Sequence, residues 1–122
     1  MDIRKLQKIV VSALEDIKGK DIEVINTAKL TSMFDRLVIA SGDSNRQVKA
    51  LAQHVQDKVR EAGGEVLSTE GENTGEWVLV DLGDIVVHVM QPTVRQYYNL
   101  EELWQATPAQ RRKAAEIGRA HV

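Results

Sequence analysis

Two aspartates bracket a Leu-Gly pair in the stretch 77-WVLVDLGDIVVHVM-90. Paired carboxylates are the residue types from which two-metal chemistry is built. A two-residue turn at Leu82-Gly83 would set Asp81 directly opposite Asp84 on one face of a hairpin, a geometry able to hold a cation. Spacing fixes no third acid nearby, and Asp35 is only a distant candidate. The same geometry also describes two solvated carboxylates at an exposed turn, where polar residues are the rule and repulsion is weak. That reading needs no ion and is the simpler one.

The other reactive groups form no constellation. The segment 39-IASGDSNRQV-48 puts a small-residue turn between a strand and a helix, where backbone N–H groups and the helix dipole can receive an anion. No Gly-Lys-Ser/Thr occurs in the chain, and Ser44 with Gln47 three residues on reads as a capping box. His54, His88 and His121 belong to no H-x-x-x-H or H-E-x-x-H pattern, and no G-x-S-x-G elbow accompanies them. The chain has no cysteine, hence no disulfide framework and no thiolate metal site. No catalytic residue, metal or cofactor is assigned from these groups.

The elements that would position these groups follow from periodicity. Ile3, Leu6, Val10, Ala13, Leu14 and Ile17 recur at helical spacing and predict a helix over 3–18, ending at Gly19. Residues 21–27 alternate as a strand, and 37-LVIAS-41 is an apolar run suited to a strand buried on both faces. Val48, Leu51, Ala52, Val55 and Val59 mark a second helix that stops at Gly63-Gly64. A strand is expected at 65–68, then an exposed, mobile loop over 70–76, then the hairpin. Short helical turns are expected from 94, and a last helix from Pro108 to about Ile117. The domain is therefore α/β, with a mixed sheet and flanking helices: a core domain over 1–105 and a helical tail over 106–122.

Composition narrows the function classes. A chain of 122 residues with 43% hydrophobic and 28% charged residues is one ordinary globular domain. No apolar run approaches a membrane span of roughly 18–20 residues, and the N-terminus does not read as a signal peptide. A cytoplasmic location is expected. The net charge of −2 offers no general attraction to nucleic acid. Arg111, Arg112 and Lys113 form a basic cluster with Glu116 close by, while Arg46, Lys49, Lys58 and Arg60 read as the solvated face of a helix.

On the hairpin, Val78, Val80, Ile85, Val87 and Val89 share one face, the obvious core. Trp77, Leu79, Asp81, Asp84, Val86, His88 and Met90 share the other. Tryptophan and methionine interleaved with acids match protein-binding patches. A C-terminal segment carrying Tyr97, Tyr98 and Trp104 could equally fold back and cover that face, and local sequence leaves the choice open.

The combined pattern is specific. The segments 35-DRLVIASGDSNRQVKAL-51, 69-TEGENTGEWVLVDLGDIVVHVM-90 and 95-RQYYNLEELW-104 occur in the order found in the ribosomal silencing factor family, also called Iojap-like. The resemblance covers roughly residues 3–105; Met90 stands where many relatives carry phenylalanine. It implies a fold related to nucleotidyltransferases, but Asp43, Ser44 and Asn45 stand where the catalytic Asp-x-Asp or Asp-x-Glu would be, so binding is implied rather than catalysis.

What the family resemblance further implies is a translational repressor. Members bind the large ribosomal subunit through the ribosomal protein L-fourteen, obstruct joining of the small subunit, and lower translation when nutrients are short, as in stationary phase. Alternatives are a large-subunit assembly factor, with minor rRNA contacts through the basic cluster, or a nucleotidyltransferase-like enzyme. With repression, the expected partner contacts are Trp77, Leu79, Met90, Tyr98 and Leu100 as apolar anchors, framed by Asp81, Asp84, His88 and Asn99. The same exposed face could pair two copies in a homodimer when the protein is free.

Overall fold

The computed structural model describes residues 1–105. The expected tail helix, the cluster Arg111, Arg112 and Lys113, and His121 lie outside the described residues. Helix α1 (Ile3–Asp16) is followed by β1 (Lys20–Asn26), β2 (Arg36–Ser41), α2 (Asn45–Glu61), β3 (Ser68–Glu70), β4 (Trp77–Asp81), β5 (Ile85–Met90), α3 (Pro92–Tyr98) and α4 (Leu100–Gln105). The strands form one mixed sheet in the order β1-β2-β5-β4-β3, in which only β2 and β5 pair in parallel.

Both long helices end in the same device. After α2, Gly63 takes a left-handed conformation (φ 85), its N–H donates to Arg60 O, and Gly64 N–H donates to Val59 O. After α1, Lys18 takes the left-handed position (φ 60), donating to Glu15 O, and Gly19 N–H donates to Leu14 O. Each is a Schellman closure, which satisfies the orphan carbonyls of the last turn. The helix therefore turns at Lys18, one residue before the expected glycine. Gly19 serves close packing instead: a Cβ there would sit 3.0 Å from Leu14 O and 3.2 Å from the Leu51 side chain.

At the other end of α2, Ser44 Oγ accepts from Gln47 N–H as expected of an N-cap (3.1 Å). The Gln47 side chain does not complete a strict capping box. Its Oε1 accepts from Asp43 N–H, and its Nε2 donates to the carbonyls of Ile17 and Lys18, tying α2 to the end of α1. The helices lie side by side on one sheet face. There Leu6, Val10, Ala13 and Leu14 of α1 and Val48, Leu51, Ala52, Val55 and Val59 of α2 pack on Val38, Ala40, Val78, Val80, Ile85, Val87 and Val89. Central strands β2 and β5 are buried on both faces, so the opposite face needs a cover of its own.

Two expectations are corrected. The strand placed at 65–68 begins at Ser68, because Leu67 only opens the ladder, through its N–H to Asp81 O (2.8 Å). The loop expected at 70–76 yields Glu70 to β3, and its remaining residues are mostly exposed, as expected. Gly71 and Gly75 have positive φ, and a Cβ would meet Trp77 O at Gly71 and Asn45 O at Gly75 (1.9 and 2.7 Å).

The paired helix ends give a direct test. A non-glycine residue in the left-handed region carries about 1–2 kcal/mol, part of which the greater unfolded-state freedom of glycine returns. Lys18→Gly is therefore expected to raise stability by about 0.5–1 kcal/mol in urea unfolding. An unchanged or lower midpoint would contradict this account of the helix end.

Candidate functional site

The hairpin turn is centred on Gly83-Asp84, not on Leu82-Gly83. Leu82 N–H donates to Ile85 O, Gly83 has φ 90, and Asp81 Oδ1 accepts from Gly83 N–H (2.8 Å). Asp81 is thus opposite Val86, Leu79 opposite His88 and Trp77 opposite Met90, a slip of two residues from the expected register. A slip of two preserves the faces, because side chains alternate with period 2. It removes the Asp81–Asp84 pair, however: Asp84 is exposed in the turn. Asp35 does reach this turn, but through its backbone: Asp35 and Arg36 N–H groups both donate to Asp84 O. Among the described residues, no three of His, Asp and Glu converge as metal ligands.

The anion turn is likewise occupied by its own side chains. Ser44 and Gln47 take the Gln47 and Asp43 amides, and the Asp43 carboxylate accepts from Lys20 Nζ (2.5 Å). That hydrogen bond, with the charge attraction, raises the Lys20 pKa above its ordinary value.

Among the described residues, the cover of the outer sheet face lies over β2 and β5. Asn99, left-handed at φ 47, reverses the chain between α3 and α4, so that Leu100 and Trp104 fold onto Ile25, Leu37, Ile39, Val86 and Met90. Trp104 meets Phe34 edge-on, with ring centroids 5.3 Å apart. Arg95 holds this cover in place, its Nε donating to Glu101 Oε1 (2.7 Å) and its Nη1 to Ser41 Oγ (2.9 Å). All outward residues of β2 and β5 are buried beneath it, whereas Trp77, Leu79 and Asp81 of β4 are half-buried. Three expected contacts are therefore corrected. Met90 and Leu100 are core residues, 0% and 2% exposed, and His88 is buried rather than part of a polar frame.

What stays accessible is a margin along β4. Tyr98 lies 4.8 Å from Trp77, and Tyr97, 81% exposed, stands edge-on to Tyr98 at 5.0 Å. Asn99 and Asp84 are exposed beside it. Tyr97 was expected only as part of a covering segment, not as a contact. Sequence reasoning passed over Glu70, which had been assigned to the loop. Glu70 is opposite Leu79, and its Oε2 is buried with no hydrogen-bond partner among the described residues. Asp81, half-buried, and Asp84, exposed, put two carboxylates beside the margin.

Behind this margin, Trp77 Nε1–H donates to His88 Nδ1 (2.8 Å). An indole nitrogen can only donate, so Nδ1 is the acceptor and the imidazole is neutral, with its proton on Nε2. Burial lowers the His88 pKa from 6.5 to about 4. The unfolded chain therefore takes up a proton near pH 6.5 that the native state refuses until about pH 4, so stability present above pH 6.5 is lost on acidification. Between pH 7 and pH 5 this group should cost about 2 kcal/mol. His88→Asn cannot titrate and should lose that much less over the same interval in urea unfolding. Equal losses in the two proteins would rule out a buried neutral imidazole.

Comparison with known proteins agrees with this architecture. The family model described as ribosomal silencing factor during starvation matches residues 1–121, beyond the 3–105 over which the resemblance was drawn. The chain is 60% identical over 104 residues to the ribosomal silencing factor RsfS of Chromobacterium violaceum, covering 85% of each. It is 39% identical over 108 residues to that of Bacillus subtilis, covering 88% of this chain and 92% of the relative. A crystal structure of a Chromobacterium violaceum protein superposes with a TM-score of 0.85 at 58% identity, covering 88% of this chain and 89% of that one. The chain belongs to the ribosomal silencing factor family.

Proposed function

We propose that this protein is a non-enzymatic translational repressor of the cytoplasm, acting when nutrients are short. It binds the large ribosomal subunit through the ribosomal protein L-fourteen and sterically blocks joining of the small subunit. The observation that carries this reading is the aromatic margin of β4, flanked by the Asp81 and Asp84 carboxylates. Trp77, Leu79 and Tyr98 offer partly open apolar surface, and Tyr97 adds an exposed ring. Such anchors, rimmed by polar residues, supply most of the energy of a protein interface.

The charge favours one class of partner. The carboxylates of Asp81 and Asp84 suit a basic protein surface better than a phosphate backbone. The membership of the chain in a family named for silencing ribosomes supports the same direction. Of the nine contacts first expected, Trp77, Leu79, Asp81, Asp84, Tyr98 and Asn99 remain as direct contacts in this proposal. Met90 and Leu100 support them from within the core. In the free protein the same margin pairs two copies, so dimerisation and ribosome binding compete for it. No helix of the described residues is long and apolar enough to cross a membrane.

The test is sedimentation of separated ribosomal subunits with and without the protein. The protein should co-sediment with the large subunit and reduce the joined fraction. Truncating a central anchor costs about 2–4 kcal/mol, so Trp77→Ala should weaken binding roughly 30- to 1,000-fold while remaining folded on its α1–α2 core. Undiminished joining at saturating protein, or native potency from Trp77→Ala, would contradict the proposal.

A further inference from the structure

We propose that His88 is the positioning residue of the docking margin: it fixes the Trp77 indole in one orientation and satisfies its only polar atom from behind. The inference rests on the docking role proposed for Trp77. Leu79 faces His88 directly across the β4–β5 ladder, and Trp77 lies diagonal to it on the same face, so the indole must lean over the imidazole for Nε1–H to reach Nδ1. The rings are 5.7 Å apart, and Tyr98 flanks the indole at 4.8 Å. His88 is itself held in the packed layer between β2 and β4, 7% exposed, with Ile39 opposite it on β2. A buried, immobile acceptor is therefore gripping a half-buried donor.

Two consequences follow for binding. An indole already confined to one rotamer does not lose that freedom when a partner closes over it. With Nε1–H satisfied internally, the partner need offer the ring no acceptor, so the surface presented is effectively apolar. Immobilising one rotamer-rich side chain is worth about 0.5–1.5 kcal/mol, so losing the grip should weaken large-subunit binding by about 2- to 13-fold.

The geometry of amides separates positioning from mere packing. An asparagine at 88 sets Oδ1 near the place of Nδ1, while a glutamine carries its amide one bond farther, near the place of Nε2. His88→Asn should keep the Trp77 indole N–H signal near its native shift in proton–nitrogen NMR, with slow hydrogen exchange and affinity within about threefold of native. His88→Gln and His88→Leu should both move that signal, accelerate its exchange and weaken binding by about 2- to 13-fold. The two indole signals are assigned by the one missing from Trp77→Phe. Equal affinities for the Asn and Gln variants would overturn the inference even if the Leu variant does not fold. So would an indole signal that none of the three moves. If Trp77→Ala binds the subunit like the native protein, the docking role fails instead, whatever the His88 variants do.

Discussion

A sheet whose central strands are apolar on both faces must be covered twice, and among the described residues the second cover leaves β4 half-buried. Two long helices seal one side of β2, β5 and β4 completely. On the other side, the cover among the described residues comes from α3 and from α4 as far as Gln105. They close over β2 and β5 and leave β4 half-open. The aromatic margin is the remainder of that covering problem, and its composition reflects it. Trp77 and Tyr98 can stand at a boundary between core and water, because each pairs a large apolar body with one polar atom.

This constraint also explains why the reactive-looking groups are engaged elsewhere. Ser44 and Gln47 consume the amides at the start of α2, and Asp43 is held by Lys20. Asp81 serves the turn by accepting from Gly83 N–H. Ser44, Gln47 and Asp81 close local turns, and Asp43 is tied to β1 through Lys20.

How far the sequence reveals this depends on the range of each signal. The core faces of β4 and β5 were legible, since a period of two survives the register slip that moved Asp81 away from Asp84. The Ser44 cap and the buried stripe of α2 were legible for the same reason: each is written within a few residues. The αL residue after α1 was not, because propensity points to Gly19 and the structure uses Lys18. Nor was the burial of Met90 and Leu100, which depends on the reversal at Asn99 and on Arg95 reaching Ser41, 54 positions away in sequence. Long-range pairs leave no local signature. The mixed composition of the Trp77 face was legible, but how far the C-terminal segment covers it was visible only in three dimensions.

A cryo-electron microscopy reconstruction of the protein on the large ribosomal subunit tests the central claim most directly. The account predicts Trp77, Leu79 and Tyr98 buried against a ribosomal protein, with α1 and α2 turned to solvent across the small-subunit side. A complex held through the α1–α2 layer, with the Trp77 indole in water, would contradict it.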